Sequence, residues 1–348
     1  GKTNLLLLRA QFIAGKGEKN VLIVSFTKAL ADFMRNGVAG NGIIDGQQVR
    51  TFHSWATEHI GHYLGKSLVA NGSNFDDATR LRAIELVRDA NKKLPAQKLY
   101  DGIFVDEAQD FSCDELECLL SLSDKICVCG DVKQGIYQRD GLDIGHKLGL
   151  ATITLQRHYR IGQRIAQVAD KLLPPAEGEK SLEATANYNP KVQGASTAHM
   201  HDCSSRDQQF GLMLEKIALQ MDAFKGDSIG ILCGKRDTAN GVAERLFAIE
   251  LTEHVCLHGP EGGTFGDCSL IHIMTIHSSN GTEFRAVHIF GAEELKGRLS
   301  RRQLLFTAVT RAKTALNAYR TGATNAALES AFAEPKHMEL AELFPEQK

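Results

Sequence analysis

The chain has 348 residues, enough for about two globular domains, because single cores seldom grow past about 150–250 residues. Its 40 Lys and Arg against 42 Asp and Glu leave a net charge of −2, which excludes the global basic field of a histone-like or tail-driven nucleic-acid binder. Any nucleic-acid contact must then come from a local groove.

No apolar run reaches about 18 residues and no signal-type segment is present, so a cytoplasmic protein without a membrane partner is expected. The eight cysteines never form a C-x-x-C pair, and several sit in apolar runs such as "KICVCGD". That pattern predicts reduced core thiols rather than a disulfide or metal framework.

In chain order, residues 3–14 predict a helix and "VLIVSF" (21–26) a buried β-branched strand. "TKALADFMRNG" predicts a helix ending near Gly37, "QQVRTFHSW" a short strand and turn, and "DDATRLRAIELVRDANKKL" an amphipathic helix with aspartate caps. "YDGIFVD" and "KICVCGD" each stop at an aspartate, as central parallel strands do when they deliver polar groups to the carboxyl edge of a sheet. These elements make one α/β domain over 1–150.

A turn and helix over 155–173 lead into an excursion at about 174–200, rich in Pro, Gly, Ala and Glu and without a period. A second α/β domain, 151–320, is built from helix 205–223, strand 228–233, helix 237–249, strands 269–277 and 285–291, and helix 301–315. Residues 321–348 are a polar extension. The expected fold class is therefore α/β, with two mainly parallel sheets flanked by helices.

Two short stretches carry the chemistry. The chain opens on Gly1, Lys2 and Thr3, the last letters of the phosphate-loop pattern G-x-x-x-x-G-K-[ST], whose first half is not in this sequence. In that pattern the lysine reaches phosphate oxygens and the hydroxyl holds Mg²⁺. Downstream, "IFVDEAQD" (103–110) sets two adjacent carboxylates at the end of an apolar strand. Asp106 would be the Mg²⁺ ligand there, and Glu107 the base that orients and deprotonates the water attacking a γ-phosphate. The bland alternative is acidic helix capping, which Asp110 or Ser112 is expected to supply for "DELECLLSL".

The D-E-A-Q-D form resembles the UvrD/Rep/PcrA family of superfamily 1 helicases, and further family-like segments follow in family order over about residues 1–316. "VSFTKALA" (24–31) and "RTFHSW" (50–55) resemble segments lining a single-stranded DNA path; "CGDVKQGIYQRDG" (129–141) resembles the segment with a γ-phosphate-sensing glutamine and a DNA-facing tyrosine. "LQRHYR" (155–160), "MTIHSSNGTEF" (274–284) and "LLFTAVTRAKTAL" (304–316) resemble the second-domain motifs.

The resemblance implies two RecA-like P-loop NTPase domains with ATP and Mg²⁺ in the cleft between them. It implies catalytic roles for Glu107, Gln134, Arg160 and Arg311, and nucleotide contacts from Gly1, Lys2, Thr3, Asp106, Tyr159, Gly281 and Glu283, with Thr3 and Asp106 also holding the metal. It further implies DNA contacts from Phe26, Thr27, Thr51, His53, Tyr137, Thr275 and His277. The two arginines lie on the second-domain side, so they would reach the transition-state charge only when the cleft closes.

The sequence departs from the family at Arg139, where tryptophan is usual, at Asp140, where arginine is usual, and at Asn280, where lysine is usual. The spacing also leaves no room for the accessory domains of larger relatives. The expected function is an ATP-dependent translocase or helicase on single-stranded DNA or RNA, with a protein partner supplying duplex engagement or nuclease activity. The alternative is an ATP-gated DNA-binding switch subunit of a nuclease or defence complex. Trp55 is expected in the core, and neither His53, His59 and His62 nor His199, His201 and Cys203 has the spacing of a zinc site.

Overall fold

The computed structural model describes all residues except 41, 69–75, 96–97, 250, 260–262, 264, 266–269 and 334–348. Cys268 and most of the polar extension lie outside the described residues.

The first α/β unit is a four-stranded sheet in the order β2-β1-β3-β4, with β1 at Val21–Ser25, β2 at Val49–Thr51, β3 at Gly102–Val105 and β4 at Ile126–Val128. Every pairing in it is parallel. Strand β1 is buried on both faces, and its alternation is visible in the packing. Val21 and Ile23 join Leu6, Ala10 and Met34 on one side, whereas Leu22 and Val24 join Phe52, Trp55 and Leu116 on the other. A strand covered by helices on both faces must be apolar throughout, which is why it reads as a continuous run.

The second unit is a six-stranded sheet, β5-β10-β9-β6-β8-β7, again entirely parallel. Its strands are β5 Thr197–Asp202, β6 Ile229–Cys233, β7 Val255–Leu257, β8 Ile271–Thr275, β9 Phe284–Phe290 and β10 Ala312–Arg320. The expected class, two parallel sheets flanked by helices, is the observed one.

Three local expectations are corrected. The helix expected over 301–315 stops at Thr310, and Ala312–Arg320 is a buried strand between β5 and β9. Its residues favour helix locally, but ladders on both sides outweigh that preference. The featureless excursion ends in β5, a polar edge strand that pairs only with β10. "RTFHSW" is a strand that passes at once into helix Phe52–Leu64, because the Thr51 side chain accepts the Ser54 amide at 3.2 Å and caps it. Within the extension, helix Ala326–Phe332 buries Leu328, Ala331 and Phe332 in the second core.

Candidate functional site

At the cleft between the units the first sheet presents the carboxyl end of β3, and the second unit presents Glu283 and Arg311, which immediately precede β9 and β10. At the tip of β3 the chain leaves the sheet at Asp106 and Glu107, and Glu107 takes a left-handed conformation with φ of 54°. A non-glycine residue held there costs on the order of 1–3 kcal/mol, a strain typical of sites where side-chain aim is fixed by the surroundings. Ser112 and Glu115 form the capping box of the following helix, so capping does not occupy the two tip carboxylates.

Asp106 is fully buried. Burial first, and then the Glu107 charge, push its carboxyl up to about 6, while Thr3 and Lys2 act downward. Its Oδ1 accepts the Glu107 amide at 3.0 Å. Among the described residues its buried Oδ2 has no hydrogen-bond partner. An orphaned carboxylate oxygen facing a hydroxyl and an ammonium suits an oxygen ligand for a hard divalent cation.

The other groups converge on this point. Lys2 Nζ donates to the Gly130 carbonyl at 3.0 Å and pairs with Asp131 Oδ2 at 3.1 Å. Burial acts to raise Asp131, but Lys2, the Lys133 amide and Arg311 together hold the carboxyl below its ordinary value. Gln109 ties the two strand tips together. Its Nε2 donates to Glu107 Oε2 and its Oε1 accepts the Asp131 amide at 2.8 Å. Gln109 was visible in the motif without an assigned role; its bridging position arises only once β3 and β4 pair.

From the second unit, Arg311 is almost wholly buried. Its Nη2 donates to Gln134 Oε1 at 2.5 Å across the cleft, its Nη1 to the Thr282 carbonyl at 3.0 Å, and its Nε to the Thr307 carbonyl at 3.1 Å. Burial, then the Arg160 charge, lower the guanidinium to about 10, still cationic at neutral pH. Arg160 pairs with Glu283, which also pairs with Lys313 at 2.6 Å. Burial acts to raise Glu283, yet Arg160 and Lys313 together hold it down to about 2. Tyr159, next to this cluster in the chain, is exposed. Gly281 has φ of +81°, and a Cβ there would overlap the Leu30 side chain of the first unit, so only glycine allows that approach.

The residues expected on a nucleic-acid path form an aromatic strip. Phe26 packs against Tyr137 at 4.9 Å and His53 at 5.6 Å, and Tyr137 lies 6.2 Å from His277 across the cleft. Burial, then Arg80 and Arg139, lower His53 to about 3, so its imidazole is neutral and offers phosphate no charge. Thr27 caps helix Lys28–Ala39 and donates to the Asn280 carbonyl at 3.3 Å; Thr51 caps the next helix; Thr275 shares a 2.9 Å hydrogen bond with Ser278. These hydroxyls shape the wall as caps and turn bonds.

The cations flank the same strip. A cleft of about 560 Å³ is lined by Tyr137 and Arg139 from the first unit and by His277, Arg298 and Arg301 from the second. Arg139 lies 5.3 Å over the Tyr137 ring. Arg298 and Arg301 escaped sequence reasoning because they belong to no local motif. Asn280 donates to buried Asp110, whose carboxyl burial, then Glu107, push up to about 8. Trp55 is core, stacked on His59 and donating to the Tyr100 hydroxyl at 3.0 Å.

Among known proteins, residues 270–319 match the family model of the UvrD-like helicase C-terminal domain. That segment contains β8, β9 and nearly all of β10, with Thr275, His277, Gly281, Glu283 and Arg311. The chain is similar to the C-terminal domain of a possible DNA helicase from Lactobacillus plantarum WCFS1, at 19% identity and a TM-score of 0.37, over 49% of this chain and 91% of that one. It is also similar to the PRRSV helicase, at 15% identity and a TM-score of 0.42, over 92% of this chain and 50% of that one. No curated protein matches the chain. No helix among the described residues is long and apolar enough to cross a membrane.

Proposed function

We propose that the chain is a helicase-type motor of the UvrD-like superfamily 1 kind, hydrolysing ATP between its two α/β units while gripping single-stranded DNA or RNA. The observation that carries the reading is the cross-cleft bond from Arg311 to Gln134, beside the Asp106–Glu107 tip and its orphaned Asp106 oxygen. A charge network that joins two sheet edges makes the distance between the units sensitive to whatever anion sits there.

In this reading Lys2, Thr3 and Asp106 hold the nucleotide phosphates and Mg²⁺, which when bound neutralises charge developing on the transferred phosphoryl group. Glu107 accepts the proton of the attacking water. Gln109 fixes its aim. Gln134 and Arg311 hold the γ-phosphate side from opposite units, and Arg160, positioned by Glu283, adds a second cation. The exposed Tyr159 ring offers a face to adenine, and Gly281 lets the units approach. The Phe26, His53, Tyr137 and His277 strip supplies stacking and edge contacts to bases, with phosphates paired to Arg139, Arg298 and Arg301.

One observation favours the switch reading. Asn280, standing where the family has lysine, donates to buried Asp110 and latches the units together without a titratable cation. The test is ATP hydrolysis with and without single-stranded DNA, on this chain and on a version extended upstream of Gly1 by the first half of a phosphate loop, followed by translocation along a dye-labelled strand. Stimulation with translocation supports the motor. Stimulation without it identifies the switch, and neither phosphate release nor DNA stimulation in either form refutes both.

A further inference from the structure

We propose that Cys256, His258 and His272 form a zinc site at the edge of the second sheet, apart from the ATP cleft. Parallel pairing of β7 with β8 sets Cys256 opposite His272. Residues two apart on a strand point to the same face, so His258 joins them. All three are buried, and their ligand atoms lie within 4.8 Å of one another.

Two of the three separations are close to those of a metal set, and the third is within 4.8 Å. For tetrahedral zinc, with Zn–N of about 2.05 Å and Zn–S of about 2.3 Å, the N···N separation is about 3.3 Å and the S···N separation about 3.6 Å. Here His258 Nε2 and His272 Nδ1 are 3.0 Å apart, and Cys256 Sγ is 3.6 Å from His258 Nε2. A thiolate with two imidazoles selects zinc over Mg²⁺ or Ca²⁺, which require oxygen ligands. The coordination position left over falls to water or one further donor.

The shell around the set is also that of a built site. The Phe265 ring covers both imidazoles, with centroids 4.5 Å from His258 and 4.4 Å from His272, keeping out bulk water. The His258 amide donates to the Ile273 carbonyl at 2.9 Å, and its carbonyl accepts Arg236 Nη1 at 2.7 Å. Those bonds hold the His258 backbone in place beside the other two ligands. Strand β7 is only three residues long and among the described strands pairs with β8 alone, so its own ladder holds it weakly. His258 and Arg236 also line the smaller cleft that Tyr137 and His277 share. Zinc would therefore clamp the edge strand that walls the groove. The competing arrangement is a metal-free chain in which the imidazoles share one proton.

The experiment is metal analysis of the tag-free 348-residue protein, purified in reducing buffer with zinc supplied, then cobalt exchange read by absorption. About one zinc per chain and a thiolate-to-cobalt charge-transfer band are expected, and both should be lost in Cys256→Ser and His258→Gln. Asp106→Asn should retain them, which separates this site from the phosphate-bound metal. If the ligand variants do not fold, chelator titration of the wild-type protein decides: the thermal midpoint should fall as zinc leaves and recover on its return. Less than about 0.1 zinc per chain after reconstitution, or zinc unchanged in folded Cys256→Ser, would overturn the site.

Discussion

Replacing Glu107 by glutamine should lower activity and raise stability together. The exchange preserves shape and the left-handed backbone, and it leaves Asp106 in place to hold the metal. Removing the base should slow hydrolysis by roughly two or more orders of magnitude while nucleotide binding persists. The stability gain follows from Asp106. Burial and then Glu107 raise its carboxyl from 3.8 to about 6, so Glu107 accounts for less than half of the upward push. At 1.36 kcal/mol per unit that is on the order of 1 kcal/mol, a rise of about 2 °C in thermal midpoint for a domain of this size.

The sign follows from proton binding. A carboxyl raised in the folded state binds more protons than in the unfolded chain, so its penalty is absent below about pH 4, grows as pH rises, and is complete above about pH 6. The gain should therefore appear at pH 8 in EDTA and vanish near pH 4. Thermal unfolding at the two pH values, beside steady-state phosphate release, measures both effects. Near wild-type turnover, or a lower midpoint at pH 8, would refute the reasoning.

Arg311→Ala should slow hydrolysis on the order of 10³-fold and also destabilise the protein by about 3–5 kcal/mol, because it strands the Gln134, Thr282 and Thr307 acceptors; urea unfolding and turnover together test it. Arg160→Ala should cost similar activity with a smaller loss of stability, since Glu283 keeps Lys313; equal stability losses would contradict that. Asp110→Asn should flatten the pH profile of stability. Burial, then Glu107, push the wild-type carboxyl up to about 8 in the folded chain, so its penalty grows from about pH 4 to 8, and parallel profiles would exclude this. Tyr137→Ala should weaken binding of a fluorescent single strand by about 1–3 kcal/mol with little change in salt slope, whereas Arg301→Ala should reduce the slope by about one.

The sequence alone carried the elements whose chemistry is local. The apolar run before Asp106 read as a central parallel strand, and the adjacent carboxylates, Lys2 and the two arginines stood in segments that followed in family order. Asp76 and Ser112 were legible as caps because a cap is decided within four residues. Long-range pairing decided the rest. Strand β10 looked helical because its ladder partners, β5 and β9, lie far away in the chain. Arg298 and Arg301 reach the cleft only through tertiary packing, as Asn280 reaches Asp110. The same physics hid Cys256, His258 and His272, whose ligand atoms meet because parallel register sets residues 16 apart in the chain side by side. Spacing along one strand is written in the sequence, but spacing between strands is set only when the sheet forms.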